Sequence, residues 1–123
     1  MTRAVLIIDD DPPLRALLQK LLAHAGEHDV VTASDGDEAI VLLGTRTFDV
    51  ILLDLKMPRR DGYAVIDYLK THRPEQLRVV LVMTATDEYE GRLDPHVVHG
   101  VISKPFDNDT VVALIREIFD AAA

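Results

Sequence analysis

The fold is decided by residues 4–12, which read Ala-Val-Leu-Ile-Ile-Asp-Asp-Asp-Pro. An apolar run without polar alternation is typical of a strand that is buried on both faces. The acidic residues 9–11 end this run, and Pro12 or Pro13 suits the first turn of a helix, where no amide donor is needed. The stretch therefore predicts a buried strand that is followed at once by a helix with Asp11 as its N-cap.

The same alternation continues along the chain. Further apolar runs lie at residues 30–33, 50–53, 79–83 and 101–102, and segments with helical spacing lie at residues 12–25, 35–44, 63–72, 87–95 and 109–121. Strands that are apolar on both faces and joined by helices favour a parallel sheet covered on both sides. We therefore expect an α/β fold with a doubly wound, five-stranded parallel sheet and helices on both faces.

Composition narrows the classes of function. The chain has 123 residues, 13 basic and 21 acidic side chains, a net charge of −8 and no cysteine. The length fits one domain over residues 1–123, and the lack of cysteine excludes disulfide and zinc-ribbon scaffolds and agrees with a cytoplasmic location. The negative charge argues against direct nucleic-acid binding, and no apolar run approaches the ~18 residues of a membrane span. We also expect no signal peptide.

Polar residues stand where the predicted strands end. These residues are Asp9 and Asp10 after the first strand, Asp54 after the third, Thr84 after the fourth and Lys104 after the fifth. The carboxyl ends of parallel strands meet at one edge, where clustered carboxylates repel by roughly 4 kcal/mol per pair at 4 Å. Such a cluster requires a cation, and oxygen ligands favour Mg²⁺ or Mn²⁺. We therefore predict a metal-assisted phosphoryl site with Asp54 as the nucleophile.

Together, motifs from these strand ends resemble the receiver domain of two-component response regulators. They are Val5–Pro12, Asp54–Gly62, Met83-Thr84-Ala85 and Lys104-Pro105-Phe106. The resemblance covers nearly the whole chain and implies a flavodoxin-like sheet with strand order 2-1-3-4-5. It also implies a signalling domain that catalyses only its own phosphorylation and dephosphorylation, rather than an enzyme.

The resemblance assigns the acceptor and the metal ligands. It implies that Asp54 accepts a phosphoryl group from the phosphohistidine of a histidine kinase or a phosphotransfer protein. It also implies that Mg²⁺ is held by Asp10, by Asp54 and by the backbone carbonyl of Lys56, with Asp9 acting through water.

The resemblance also assigns the phosphate-binding groups. Thr84, the backbone of Ala85 and Lys104 are expected to hold the phosphoryl oxygens, with a cis bond before Pro105. Phosphorylation would then change the binding of a downstream effector protein or a homodimer contact. The face expected to carry this change is formed by the predicted fourth helix, the fifth strand and the fifth helix.

The chain departs from the family pattern in the readout region. Val101 occupies the position where receivers usually carry Tyr or Phe. The segment between Thr84 and Lys104 is about two residues short and contains Asp94-Pro95, which breaks or shortens a helix. We expect the phosphotransfer chemistry to be retained, and the signalling face to be reshaped or unusually mobile.

The loop after Asp54 has a pattern of its own. Pro58 and Gly62 are expected to shape it, with Asp61 and Gly62 as turn residues. Arg59 and Arg60 are interpreted as a solvated pair.

Other functions stay open at this point. A degenerate receiver would act only as a scaffold. A phosphohydrolase of the haloacid-dehalogenase kind also uses an aspartyl phosphate, but it needs a second Asp where this chain has Lys56. A flavodoxin-like carrier is disfavoured because the acidic residues 9–11 would repel a flavin phosphate.

Overall fold

Strands and helices alternate in the order that the apolar runs predict. The computed structural model describes residues 2–24, 26, 28–57, 59–85 and 93–122. The elements are β1 (Arg3–Ile8), α1 (Pro12–His24), β2 (His28–Ala33), α2 (Gly36–Thr45), β3 (Val50–Asp54), α3 (Gly62–His72), a 3₁₀ helix (Pro74–Val79), β4 (Val80–Ala85), β5 (Gly100–Lys104) and α4 (Asn108–Ala122). In the described ranges, every helix is too short or too polar to cross a bilayer.

The sheet has five parallel strands in the order β2-β1-β3-β4-β5, which confirms the predicted fold class. Alternate residues of a strand face opposite sides of the sheet, so each central strand contributes to two cores. Leu6 and Ile8 pack with α2 and α3 on one side, whereas Val5 and Ile7 pack with α1 and α4 on the other. Full burial of such a side chain is worth about 1.5–3 kcal/mol.

The apolar faces of the first and last helices largely match the sequence pattern. Helical spacing predicts faces made of Leu14, Leu17, Leu18, Leu21 and Leu22 in the first helix and of Val112, Ile115, Ile118 and Phe119 in the last. In α1, Leu18 and Leu22 are buried, whereas Leu17 is 37 % exposed at the edge of this face. In α4, Ile115 and Ile118 are buried as predicted, but the buried residue near the start is Val111 and not Val112.

The sequence pattern did not predict the 3₁₀ helix at Pro74–Val79. The apolar run at residues 79–83 predicts Val79 in the following strand, whereas Val79 ends the 3₁₀ helix. In the structure the buried Gln76 side chain accepts a hydrogen bond from the Phe48 amide at 2.7 Å and donates one to the Phe48 carbonyl at 3.1 Å. This contact joins residues far apart in the chain, which local periodicity does not reveal.

The helix predicted at residues 87–95 lies largely outside the described residues. Within the part described, residues 93–95 are not helical, and Asp94 forms a turn in which its side chain accepts from the His96 amide at 2.9 Å. Beyond this turn, Val98 is buried in the core beside α3. The expectation of a reshaped signalling face stays a prediction.

Gly62 lies against the end of β3, and this close approach gives a stability prediction. A Cβ atom there would overlap the Asp54 carbonyl oxygen and lie 2.7 Å from the Leu55 Cα. We expect Gly62→Ala to lower the free energy of unfolding by about 1–3 kcal/mol, measured by urea denaturation.

Gly44→Ala is the matched control for this prediction. A Cβ at Gly44 meets only the Tyr68 hydroxyl, at 3.2 Å, on the far end of a side chain that can move. Because alanine is the better helix former by up to ~1 kcal/mol, stability should stay the same or rise. Equal losses in the two variants would contradict the close-approach explanation.

Candidate functional site

The sheet register brings the predicted acidic residues together. Ile8 pairs with Leu53 on the neighbouring strand, so Asp9 and Asp54 follow at adjacent positions at the carboxyl ends of β1 and β3. Asp9, Asp10 and Asp54 each offer a carboxylate oxygen, and these oxygens lie within 4.8 Å of one another. The structure therefore places all three predicted carboxylates in one cluster.

Asp9 is the most enclosed member of this cluster. It is fully buried, and its Oδ1 accepts a hydrogen bond from the Asp11 amide at 2.9 Å. Its Oδ2 lies 3.3 Å from the Lys104 ammonium. Asp10 is exposed beside it. The cluster is therefore closed to solvent at Asp9 and open to solvent at Asp10.

Lys104 lies between two buried carboxylates. Its Nζ is 3.3 Å from Asp9 Oδ2 and 3.5 Å from Asp54 Oδ1. The same Asp54 oxygen accepts a hydrogen bond from the Lys56 amide at 3.3 Å. The Lys104-Pro105 peptide bond is cis, as the resemblance implies.

Thr84 and Ala85 end β4 next to this group. Thr84 is fully buried, and Ala85 is partly exposed. In the sheet register Thr84 is opposite Ser103, and Ala85 is opposite Lys104. Both predicted phosphate-binding positions therefore lie at the same edge of the sheet as the carboxylates.

The environment of Asp54 disfavours its negative charge. Burial and, to a smaller extent, the neighbouring Asp9 raise the pKa of this carboxyl to about 6, although Lys104 acts in the opposite direction. Burial also raises the pKa of Asp9. A bound cation would relieve both effects, because opposite charge favours the ionised form.

The chemistry of the donors fits a hard divalent cation. Among the described residues, three carboxylates lie beside the ammonium group of Lys104, so these groups carry an excess of negative charge when the acids are ionised. Carboxylate and carbonyl oxygens are the donors that Mg²⁺ and Mn²⁺ prefer. Together, these three carboxylates could hold Mg²⁺.

Sequence reasoning missed one residue that supports the site. The Arg15 guanidinium donates a hydrogen bond to the Asp9 carbonyl oxygen at 2.7 Å and so ties α1 to the end of β1. Its position, one helical turn after Asp11, was the only signal in the sequence.

The loop after Asp54 also differs from expectation. Asp61 is not a simple turn residue, because its side chain caps α3 through the Ala64 amide at 3.1 Å. Arg59 and Arg60 are solvent-exposed as interpreted, but they also form ion pairs with Asp35 and Asp37. Pro58 lies outside the described residues.

Sequence comparisons agree with the geometry. The family model of the response regulator receiver domain matches residues 5–116. The DNA-binding transcriptional regulator NtrC of Salmonella typhimurium is 34% identical over 114 residues, covering 91% of this chain and 24% of that protein. The alkaline phosphatase synthesis transcriptional regulatory protein PhoP of Bacillus subtilis is 39% identical over 121 residues, covering 96% of this chain and 49% of that protein. The chain thus spans a quarter to a half of these relatives.

Solved structures share the whole fold. The receiver domain of a Francisella response regulator has a TM-score of 0.81 and 25% identity, over 99% of this chain and 100% of that one. The response regulator TrrA of Thermotoga maritima, solved in complex with Mg²⁺-BeF, has a TM-score of 0.83 and 24% identity, over 95% and 99% of the two chains.

The raised pKa of Asp54 predicts how stability depends on pH. The folded protein keeps this proton up to about pH 6, whereas the unfolded chain loses it near pH 3.8, so ionisation costs stability as the pH rises between these values. Asp54→Asn should therefore stabilise the metal-free protein at pH 7 relative to pH 4. Allowing for solvent screening, the expected gain is on the order of 1–2 kcal/mol. Urea denaturation in EDTA at both pH values measures it.

Asp35→Asn is a control with the opposite sign. Hydrogen bonding from the Glu38 amide and from Arg59 lowers the pKa of Asp35, so its ionised form stabilises the fold at neutral pH, and this contribution is lost as the pH falls. This variant should lose stability at pH 7. A gain of the same size in both variants would contradict the burial explanation.

Proposed function

Because the chain belongs to the response regulator receiver domain family, we propose that it accepts a phosphoryl group on Asp54. The donor is the phosphohistidine of a histidine kinase or a phosphotransfer protein. One observation carries this proposal: Asp54 is only 5 % exposed and lies at a strand end beside Asp9, Asp10 and Lys104. Burial of a charge at such a cost is typical of a functional group rather than a structural one.

The transfer is a direct displacement at phosphorus. A carboxylate oxygen of Asp54 forms a bond to phosphorus while the bond between phosphorus and the donor imidazole nitrogen breaks. The nitrogen of the leaving imidazole keeps the electron pair of the broken bond and takes up a proton from solvent, so the histidine side chain is released neutral. The product is an aspartyl phosphate on this chain.

Mg²⁺ would be held by Asp10, by Asp54 and by the backbone carbonyl of Lys56, with Asp9 acting through water. Mg²⁺ bound there would offset the repulsion between the carboxylates and the incoming phosphoryl oxygens. Mn²⁺ satisfies the same donor chemistry. The Lys56 amide, which donates to Asp54 Oδ1, holds the nucleophile in place.

The phosphoryl oxygens are bound by groups from two neighbouring strands. Lys104 exchanges its contact with Asp54 for one with a phosphoryl oxygen, because the phosphate carries the larger charge. The Thr84 hydroxyl and the Ala85 amide bind the remaining oxygens from β4. The small Ala85 side chain leaves the mouth of the site open to the donor.

Phosphorylation adds about 1.5–2 negative charges to the site, and this change alters binding to a downstream effector protein. Phosphorylation could instead change homodimerisation through the face formed by β5, α4 and the helix predicted at residues 87–95. Val101 is only partly buried and packs against the core, so the readout uses no aromatic ring at this position.

The domain acts in the cytoplasm and contacts no nucleic acid itself.

Chemical phosphorylation tests this function. Incubation with acetyl phosphate and Mg²⁺ should add the mass of one phosphate, stable in acid and labile in base, as measured by intact-mass spectrometry. Asp54→Ala should abolish the gain, and EDTA should suppress it in the wild type.

Asp37→Asn is the matched control for loss of an acidic side chain, because Asp37 lies on α2 with an exposed carboxylate. This variant should be labelled like the wild type. Labelling that persists in Asp54→Ala, or no labelling of the wild type, would overturn the proposal.

A further inference from the structure

An ion pair between an exposed arginine and a buried carboxylate joins the loop after β3 to the start of α2. The Arg59 Nε and Nη2 atoms lie 2.9 Å and 2.7 Å from Asp35 Oδ2. The Asp35 side chain is only 6% exposed, whereas that of Arg59 is 69% exposed. Asp35 Oδ1 accepts from the Glu38 amide at 2.9 Å and caps α2. Asp35 therefore uses one oxygen for its own helix and the other for the loop.

The backbone draws the two segments together at the same place. The Gly36 amide donates a hydrogen bond to the Arg60 carbonyl at 2.7 Å, and a Cβ atom on Gly36 would overlap that carbonyl. Arg59 has a φ angle of 61°, in the left-handed region that non-glycine residues rarely adopt. A backbone held in this region needs surrounding contacts that keep it there, and the Asp35 pair is such a contact.

The same loop carries the site residue Lys56, three positions before Arg59. Its amide donates to Asp54 Oδ1, and its carbonyl is a metal ligand in the proposed function. The Gly62 amide donates to the Leu55 carbonyl at 2.9 Å, which closes the loop at its base. A backbone ligand has no side chain to adjust, so its position depends on the loop as a whole.

We propose that Arg59 and Asp35 are positioning residues for the metal site: their ion pair holds the loop so that Lys56 faces the bound cation. The inference rests on the proposed function and adds residues outside the carboxylate cluster. Residues that orient metal ligands from outside commonly affect metal affinity about 10- to 100-fold.

Charge alone and loop positioning predict opposite results for one variant. Arg59→Gln removes a positive charge near an acidic site, so electrostatics alone would tighten Mg²⁺ binding. If the pair positions the loop, the same variant should weaken Mg²⁺ binding, by about tenfold. Asp35→Asn keeps an oxygen for the Glu38 amide but places an amide group near Arg59, and it should weaken binding to a similar degree.

Arg60→Gln is the matched control. It removes the same charge from the next residue, whose pair with Asp37 is more than half exposed on both sides, and it leaves the Arg60 carbonyl in place. Mg²⁺ affinity should then stay the same or rise slightly. Arg59→Lys keeps the positive charge but cannot contact Asp35 through two nitrogen atoms. Its Mg²⁺ affinity should therefore lie between that of the wild type and that of Arg59→Gln.

The experiment is an NMR titration of backbone amide signals with MgCl₂, together with amide exchange of Lys56 in EDTA. Arg59→Gln should raise the Kd and speed exchange at Lys56, and the double variant with Asp35→Asn should bind no more weakly than either single variant. Urea denaturation checks that each variant is folded. If Arg59→Gln does not fold, the comparison is made with Arg59→Lys instead.

The outcomes separate this inference from the proposed function. If the wild type binds Mg²⁺ and Arg59→Gln binds it equally or more tightly, the positioning role is wrong and the proposed function stands. If the wild type binds no Mg²⁺, the proposed metal site fails and the inference fails with it. Weakening by Arg60→Gln equal to that by Arg59→Gln would also overturn the positioning role.

Discussion

Mutual repulsion of the carboxylates of Asp9, Asp10 and Asp54 is the constraint on which the rest of the structure depends. Their oxygens are within 4.8 Å of one another, and two of the three side chains are buried. Such an arrangement costs free energy in the folded state unless a positive charge offsets it. The positive charge of Lys104, which lies near Asp9 and Asp54, offsets part of this repulsion. The rest of the negative charge is not neutralised by Lys104. An excess of negative charge on oxygen donors fits a hard divalent cation.

The cluster stays in place because rigid elements hold it from several sides. Parallel strands β1 and β3 present Asp9 and Asp54 in neighbouring registers, and Arg15 ties the Asp9 carbonyl to α1. The loop after β3 is held at its base by the close packing of Gly62 and at its tip by the Arg59 pair with Asp35. Positioning of a reactive group by its surroundings lets binding favour the transition state. Here the surroundings extend to α2.

Local sequence patterns predicted the parts of the fold that depend on local chemistry. Doubly apolar strands required a covered parallel sheet, and acidic residues at their ends required a shared edge. Predictions failed where a partner from a distant part of the chain decides the structure. Gln76 in the 3₁₀ helix is hydrogen-bonded to the Phe48 amide, and Arg59 is hydrogen-bonded to Asp35. The residues next to Gln76 and Arg59 in the chain show no pattern that predicts these contacts. Val111 is buried in place of Val112 for the same reason, since packing against the sheet decides which residues of α4 are covered.

The sequence by itself determined the fold class, the strand ends and the identity of the clustered groups, because apolar periodicity and charge act over a few residues and are visible in order along the chain. Only the tertiary structure decided the environment of those groups. The pKa of Asp54, raised to about 6, depends on burial and on Asp9 from another strand. Lys104, close to both carboxylates, and the loop held by Asp35 likewise result from packing. Electrostatic energies depend on distance and burial, and folding sets both.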